Sequence, residues 1–150
     1  MINRKAVYEQ LKKDEGVKYE IYQDHLGYLT FGVGHLITDQ DPESGLSIGT
    51  KISEERVYTA FQYDVDMALW DCEMLYGPVP FYSWPEEVKQ VLVNMMFNLG
   101  RTRLGKFVNF KAALMDKNWK LAAKEGRDSL WYHQVKSRAE NLMSRLEKVS

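Results

Sequence analysis

From Val91 to Gly100 the chain reads VLVNMMFNLG, with no charge and only two asparagines to interrupt the apolar residues. A helix that is apolar nearly all round has to be enclosed by other elements, so this segment is read as the central helix of a C-terminal helical lobe. Just before it, Ser83-Trp84-Pro85-Glu86 has the S-x-x-E form of a capping box with an early Pro, which predicts the helix start there. Shorter helical patterns follow near 107–116, 119–126, 129–134 and 136–147, as enclosure requires.

The first half reads differently. Val7, Leu11 and Glu15 recur at i, i+4 and i+8, with Tyr8 beside them and Gly16 as a stop, predicting an amphipathic helix over 3–15 with Glu15 on its buried stripe. Residues 17–22 (VKYEIY) and 28–33 (YLTFGV) are rich in β-branched and aromatic residues. The QDHLG between them supplies turn chemistry, so the pair predicts a β-hairpin. Residues 38–51 hold one Pro, two Gly and several turn formers, and read as a loop. Ser53 then caps a long helix to about Tyr76, on which Val57, Ala60, Phe61, Val65, Ala68 and Leu69 keep a spacing of three to four. A chain of 150 residues accommodates this as one domain, 1–150, with an N-terminal lobe to about 52, a connecting helix over 53–76 and a helical lobe over 77–150.

Composition removes several classes. Cys72 is the only cysteine, which excludes an intramolecular disulfide and a multi-cysteine metal site and leaves helix packing as its role. The first residues lack an apolar core of signal-peptide length, and no run is long enough to span a bilayer. Net charge is −1, but residues 101–150 carry 12 Lys/Arg against 5 Asp/Glu, so an anionic polymer would be drawn to that part. Nucleic acid and an acidic polysaccharide both qualify. Trp119, Trp131 and Tyr132 lie among apolar neighbours at helical spacing, which favours core packing over base stacking.

The residues that could carry chemistry cluster early. A carboxylate on an apolar stripe at a helix C-terminus is disfavoured as an anion by desolvation and by the helix dipole, so Glu15 is suited to act as a general acid. Asp24, in the hairpin turn, is better hydrated and would stay ionised, dividing acid and base work as glycoside hydrolysis requires. Thr30, in the returning strand, offers a hydroxyl able to orient a water.

This E-x8-D-x5-T spacing, set in DEG, Y-x-D and TFGVGH, resembles the phage-type lysozymes. Segments similar to that family continue in order: FQYDVD at 61–66, NMMFNLG at 94–100, Gly-x-Phe at 105–107, Trp119-x-x-Ala-Ala, and SLWYHQVKSRAENL at 129–142. The resemblance implies a mainly helical α+β, lysozyme-like two-lobed fold that binds peptidoglycan in the cleft between its lobes. It implies hydrolysis of the β-1,4 bond between N-acetylmuramic acid and N-acetylglucosamine, with Glu15 protonating the leaving oxygen. Asp24 and Thr30 would hold water on the opposite face, giving inversion, for which carboxyl groups roughly 6.5–9.5 Å apart are expected. By the same resemblance Arg138 approaches the catalytic glutamate, His35 and Asp64 form an ion pair that fastens the connecting helix to the hairpin, and Leu36, Phe97 and Asn98 lie at or beside the cleft. No metal or organic cofactor is called for, and a monomer without stable membrane insertion or nucleic-acid binding is expected. The enzyme would remain in the host bacterial cytoplasm until the membrane is permeabilised.

The family pattern is not matched everywhere. The loop 38–51 is short for an additional helix, the chain ends twelve residues after Arg138, and the residue types at Phe110 and Glu125 do not fit two further cleft positions. Near-neutral charge also departs from the basic character common in such enzymes. Endolysin and tail-associated lysozyme share this chemistry and both stay open. A non-catalytic peptidoglycan-binding module would have no need of Glu15, Asp24 and Thr30 together.

Overall fold

The computed structural model describes residues 1–150 in full. In chain order it contains α1 (Arg4–Glu15), β1 (Lys18–Gln23), β2 (Leu29–Gly32), β3 (His35–Leu36), α2 (Glu54–Tyr76), α3 (Pro78–Ser83), α4 (Glu86–Leu104), α5 (Val108–Met115), α6 (Trp119–Arg127), α7 (Leu130–Val135) and α8 (Ser137–Glu147). The strands form one antiparallel sheet in the order β1-β2-β3, so the fold is α+β and mainly helical. Two compact units divide the chain, Arg4–Asp66 on one side and Met1–Asn3 with Met67–Ser150 on the other, and α2 runs through the boundary.

In the first unit α1 buries Val7, Tyr8 and Leu11. The Tyr8 ring meets Tyr58 and Phe61 of α2 at centroid distances of 4.9 and 4.7 Å. Gly16 ends α1 at φ 79°, a conformation costly for a residue with a Cβ, while its N–H donates to the Lys12 carbonyl at 2.9 Å. At the start of α2 the Ser53 hydroxyl accepts the Arg56 N–H at 3.0 Å, the cap expected from sequence.

The hairpin is less regular than its pattern. Lys18 pairs with Gly32 and Tyr22 with Thr30, so β1 advances four residues while β2 advances two. The extra residues bond to the far side: Ile21 donates to the Thr50 carbonyl at 2.9 Å, Gly49 to that of Ile21 at 2.8 Å, and Ile52 to that of Tyr19 at 3.0 Å. The loop after the hairpin thus covers the outer edge of β1, and it carries turns without a helix. Two-residue β3 went unforeseen, being too short to show alternation.

In the second unit α4 is the buried helix expected from its composition, with Val88, Val91, Leu92, Val93, Met95, Met96 and Leu99 all enclosed. Helix α8 packs on α4, α6 and α7, and α5 packs on α6. Gly100, at φ 77° and ψ 164°, kinks α4 before a last turn that reaches Leu104. The expected capping box is not formed. Ser83 instead closes the unforeseen helix α3, its hydroxyl donating to the Pro80 carbonyl at 2.6 Å. The reason is Pro85: a residue before proline is disfavoured in the helical region, and Trp84 is extended at φ −76° and ψ 155°, so no helix can start at Trp84 under a Ser83 cap. Helix α4 begins after it, and the Glu86 carboxylate accepts from Asn3 N–H and Gln90 Nε2, each at 2.8 Å. Cys72, Trp119 and Trp131 are buried, as their apolar settings imply.

Gly126 tests the packing of this unit. A Cβ there would collide with Sδ of Met143, which is itself fully buried. Gly126→Ala is expected to destabilise the protein by about 1–3 kcal/mol through overpacking, read as a lowered midpoint of thermal or urea unfolding; an unchanged midpoint would contradict the packing of α6 on α8.

Candidate active site

Six of the nine candidate residues, Glu15, Asp24, Thr30, His35, Leu36 and Asp64, belong to the Arg4–Asp66 unit. Glu15 is the last residue of α1, and it is exposed, not buried as its helical phase suggested. Phase gives the direction of a side chain but not what covers it. Val7, Tyr8 and Leu11 face packed neighbours, whereas Glu15 lies one turn further on, where Gly34 offers no side chain. Its Oε2 is 3.8 Å from the point where a Cβ on Gly34 would stand. The desolvation argument for Glu15 therefore falls, and its place beside the β2–β3 turn is what remains.

Asp24 follows β1 directly and organises the hairpin turn. Its Oδ1 accepts the N–H groups of Leu26 and Tyr28, each at 2.9 Å, and its own N–H donates to the Tyr28 carbonyl. Oδ2 takes no hydrogen bond within the protein and is left for solvent or ligand. Thr30 is buried in β2, and its hydroxyl donates to the Tyr28 carbonyl at 3.0 Å, so its lone pairs remain able to accept from a water. Thr30 pairs with Leu36 of β3 on one side and with Tyr22 of β1 on the other. Residues opposite one another in an antiparallel sheet share a face, so Tyr22, Thr30 and the exposed Leu36 form one row.

Phe97, Asn98 and Arg138 belong to the other unit. Phe97 and Asn98 are half-buried near the end of the apolar part of α4. Asn98 Oδ1 accepts the indole N–H of Trp131 at 2.6 Å, which fixes the amide and directs its NH2 away. Arg138 donates through Nε and Nη2 to Oδ1 of buried Asn94, at 3.1 and 2.8 Å. No group of three His, Cys, Asp or Glu side chains is arranged to hold a metal ion, and no helix is long and apolar enough to cross a membrane.

Comparison with known proteins decides the family. Residues 12–148 match the phage lysozyme family model. The chain belongs to the phage lysozyme family. It is 30% identical over 159 residues to a probable T4-type lysozyme of Dictyostelium discoideum, covering 95% of this chain and 94% of that protein. It is 32% identical over 147 residues to the pre-baseplate central spike protein Gp5 of Enterobacteria phage T4, covering 87% of this chain but 26% of the spike protein. A third relative, peptidoglycan hydrolase gp36 of Pseudomonas phage phiKMV, is 28% identical over 92% of this chain and 15% of its own length. This chain thus spans nearly all of one relative and only a fraction of the other two. As a member of the family it is a glycoside hydrolase of the lysozyme class, with peptidoglycan as its substrate class.

In this lysozyme the buried imidazole of His35 lies between two carboxylates. Nδ1 is 2.8 Å from Asp64 Oδ2 on α2, and Nε2 is 2.9 Å from Asp41 Oδ2 in the loop. Asp64 was expected from sequence; Asp41 was not. Arg56 of α2 braces Asp41 at 3.2 Å and forks onto Glu43 at 2.7 and 2.9 Å. Burial opposes a charge on His35, but the hydrogen bonds and charges of Asp64 and Asp41 outweigh it and raise the pKa. Burial likewise opposes ionisation of Asp41, and is outweighed by the Thr38 N–H, His35 and Arg56, so that carboxyl is held below its ordinary value. The hydrogen bond from Arg56 does the same for Glu43 despite its burial.

A raised His35 stabilises the fold fully below the unfolded value of about 6.5 and loses that contribution as pH rises through the folded pKa. Lowered Asp41 and Glu43 contribute above their unfolded values and lose it as pH falls through the folded ones. The whole network is therefore in force from about pH 4.5 to about 6.5. Asp41→Asn is expected to cost about 1.5–3 kcal/mol at pH 6 and clearly less at pH 9, measured by urea unfolding at both. An equal cost at the two pH values would contradict a charged His35 in the clamp.

Proposed function

We propose that this lysozyme hydrolyses the β-1,4 bond between N-acetylmuramic acid and N-acetylglucosamine with inversion at the anomeric carbon. Glu15 is the proton donor to the leaving oxygen. Asp24 and Thr30 hold the attacking water, the carboxylate accepting its proton and the threonine oxygen fixing its orientation. The observation that carries this reading is the hairpin: Asp24 keeps Oδ2 open while Oδ1 anchors the turn, and Thr30 keeps its acceptor lone pairs on the face shared with Leu36. Leu36 in the first unit and Phe97 and Asn98 in the second are assigned to glycan contact.

The same reading has the enzyme accumulate in the infected cell's cytoplasm, as a monomer, until another protein opens the membrane. The relative named as a central spike protein supports a second reading, in which the same chemistry is carried on the virion. No binding role without turnover is needed to account for the three groups.

Glu15→Gln preserves size and removes the acid. It is expected to lower kcat by about 10²–10⁴-fold on peptide-free wall glycan while leaving the fold and glycan affinity intact. A folded Glu15→Gln with wild-type kcat would overturn the assignment.

A further inference from the structure

Tyr22 is absent from the mechanism above, yet it lies in the middle of the residues that the mechanism uses. It is the β1 member of the cross-strand row with Thr30 and Leu36. Asp24 is two residues further along, on the same face by strand alternation. The ring is half-buried, with Lys18 Nζ 4.4 Å from its centroid, so it is held in position by a cation on one face. Its hydroxyl makes no hydrogen bond within the protein, whereas Asp24 and Thr30 of the same row and turn each use one oxygen to fix the hairpin. A fixed phenol with an unused donor, beside two carboxylates and a row of candidate glycan contacts, is arranged to meet something other than the protein.

We propose that the Tyr22 hydroxyl is a glycan-contacting group of this site, donating a hydrogen bond to an oxygen of the sugar that lies on the Tyr22–Thr30–Leu36 face. The inference rests on the reading of Glu15, Asp24 and Thr30 as the reacting groups and adds a specificity-determining contact to it. Burial, followed by the charges of Asp24 and Glu15, raises the phenol above its ordinary value, so the proton is retained throughout the working range and the group acts as a donor. A sugar oxygen is the fitting acceptor. An anionic group would meet the Asp24 and Glu15 carboxylates, so the contact selects neutral hydroxyl, ring or amide oxygens over the lactyl carboxylate of the muramic acid residue.

The test compares Tyr22→Phe with the parent in two backgrounds. In Glu15→Gln, the affinity for a soluble peptide-free hexasaccharide of alternating N-acetylglucosamine and N-acetylmuramic acid is measured by calorimetry. In the active enzyme, kcat and KM are measured on the same glycan. Loss of one neutral hydrogen bond is expected to weaken binding about three- to tenfold and raise KM to match, with kcat within about twofold and the thermal midpoint unchanged. Unchanged Kd and KM overturn the contact, and so does a fall in thermal midpoint with affinity intact, which marks a packing role. A fall in kcat with KM unchanged also overturns it, since the group would then act in the reaction rather than in binding. The catalytic reading fails separately, by full turnover in Glu15→Gln, and absence of glycan binding in Glu15→Gln itself overturns both.

Discussion

The imidazole of His35 between Asp64 and Asp41 is the contact on which the rest of the Arg4–Asp66 unit depends. A three-stranded sheet whose last strand has two residues has little stability of its own. Here that last strand supplies a buried imidazole that reaches α2 through Asp64 and the following loop through Asp41. Arg56 closes the network by returning from α2 to the loop. With β3 fixed, β2 is held beside it, and Thr30 and the turn at Gly34 keep their places. A charge removed from this network would leave its partner buried and unpaired, which costs more than the pair contributes.

The chemistry follows from what the sheet and helix end present. Two carboxylates come from elements of different character: Glu15 from a helix terminus next to a turn without side chains, and Asp24 from a turn that it stabilises itself. The roles proposed for them therefore do not require a deeply buried acid. Thr30 is the buried member of the set, in the middle strand with Tyr22 and Leu36 on either side. A glycan laid against that row would meet a threonine oxygen, a phenol and an aliphatic side chain.

Much of this was legible from sequence because the governing signals were local. Helical periodicity located the long helices within a few residues, Ser53 capped α2 as expected, and the spacing of Glu15, Asp24 and Thr30 pointed to the phage lysozyme family. What stayed hidden depended on distant partners or on very short elements. Two residues of β3 carry no period, and α3 is a six-residue helix holding two prolines, of which the first is compatible with a helix start. The S-x-x-E pattern failed because one of its two middle residues is Pro85. Glu15 was expected to be buried because phase was taken to imply cover. Asp41, Glu43 and Arg56 look like ordinary surface charges until the loop folds back over α2, and Tyr22 shows its significance only through the register of β1 on β2.

The central claim, that Asp24 and Thr30 direct water onto the sugar face opposite Glu15, is tested most directly by the anomeric form of the first product. Early proton NMR spectra of cleavage of a peptide-free wall glycan, recorded before mutarotation, distinguish the two outcomes. The account predicts that the new reducing end appears first as the α-anomer. Initial appearance of the β-anomer would mean retention, with a covalent or equivalent intermediate, and would contradict the roles assigned to Asp24 and Thr30.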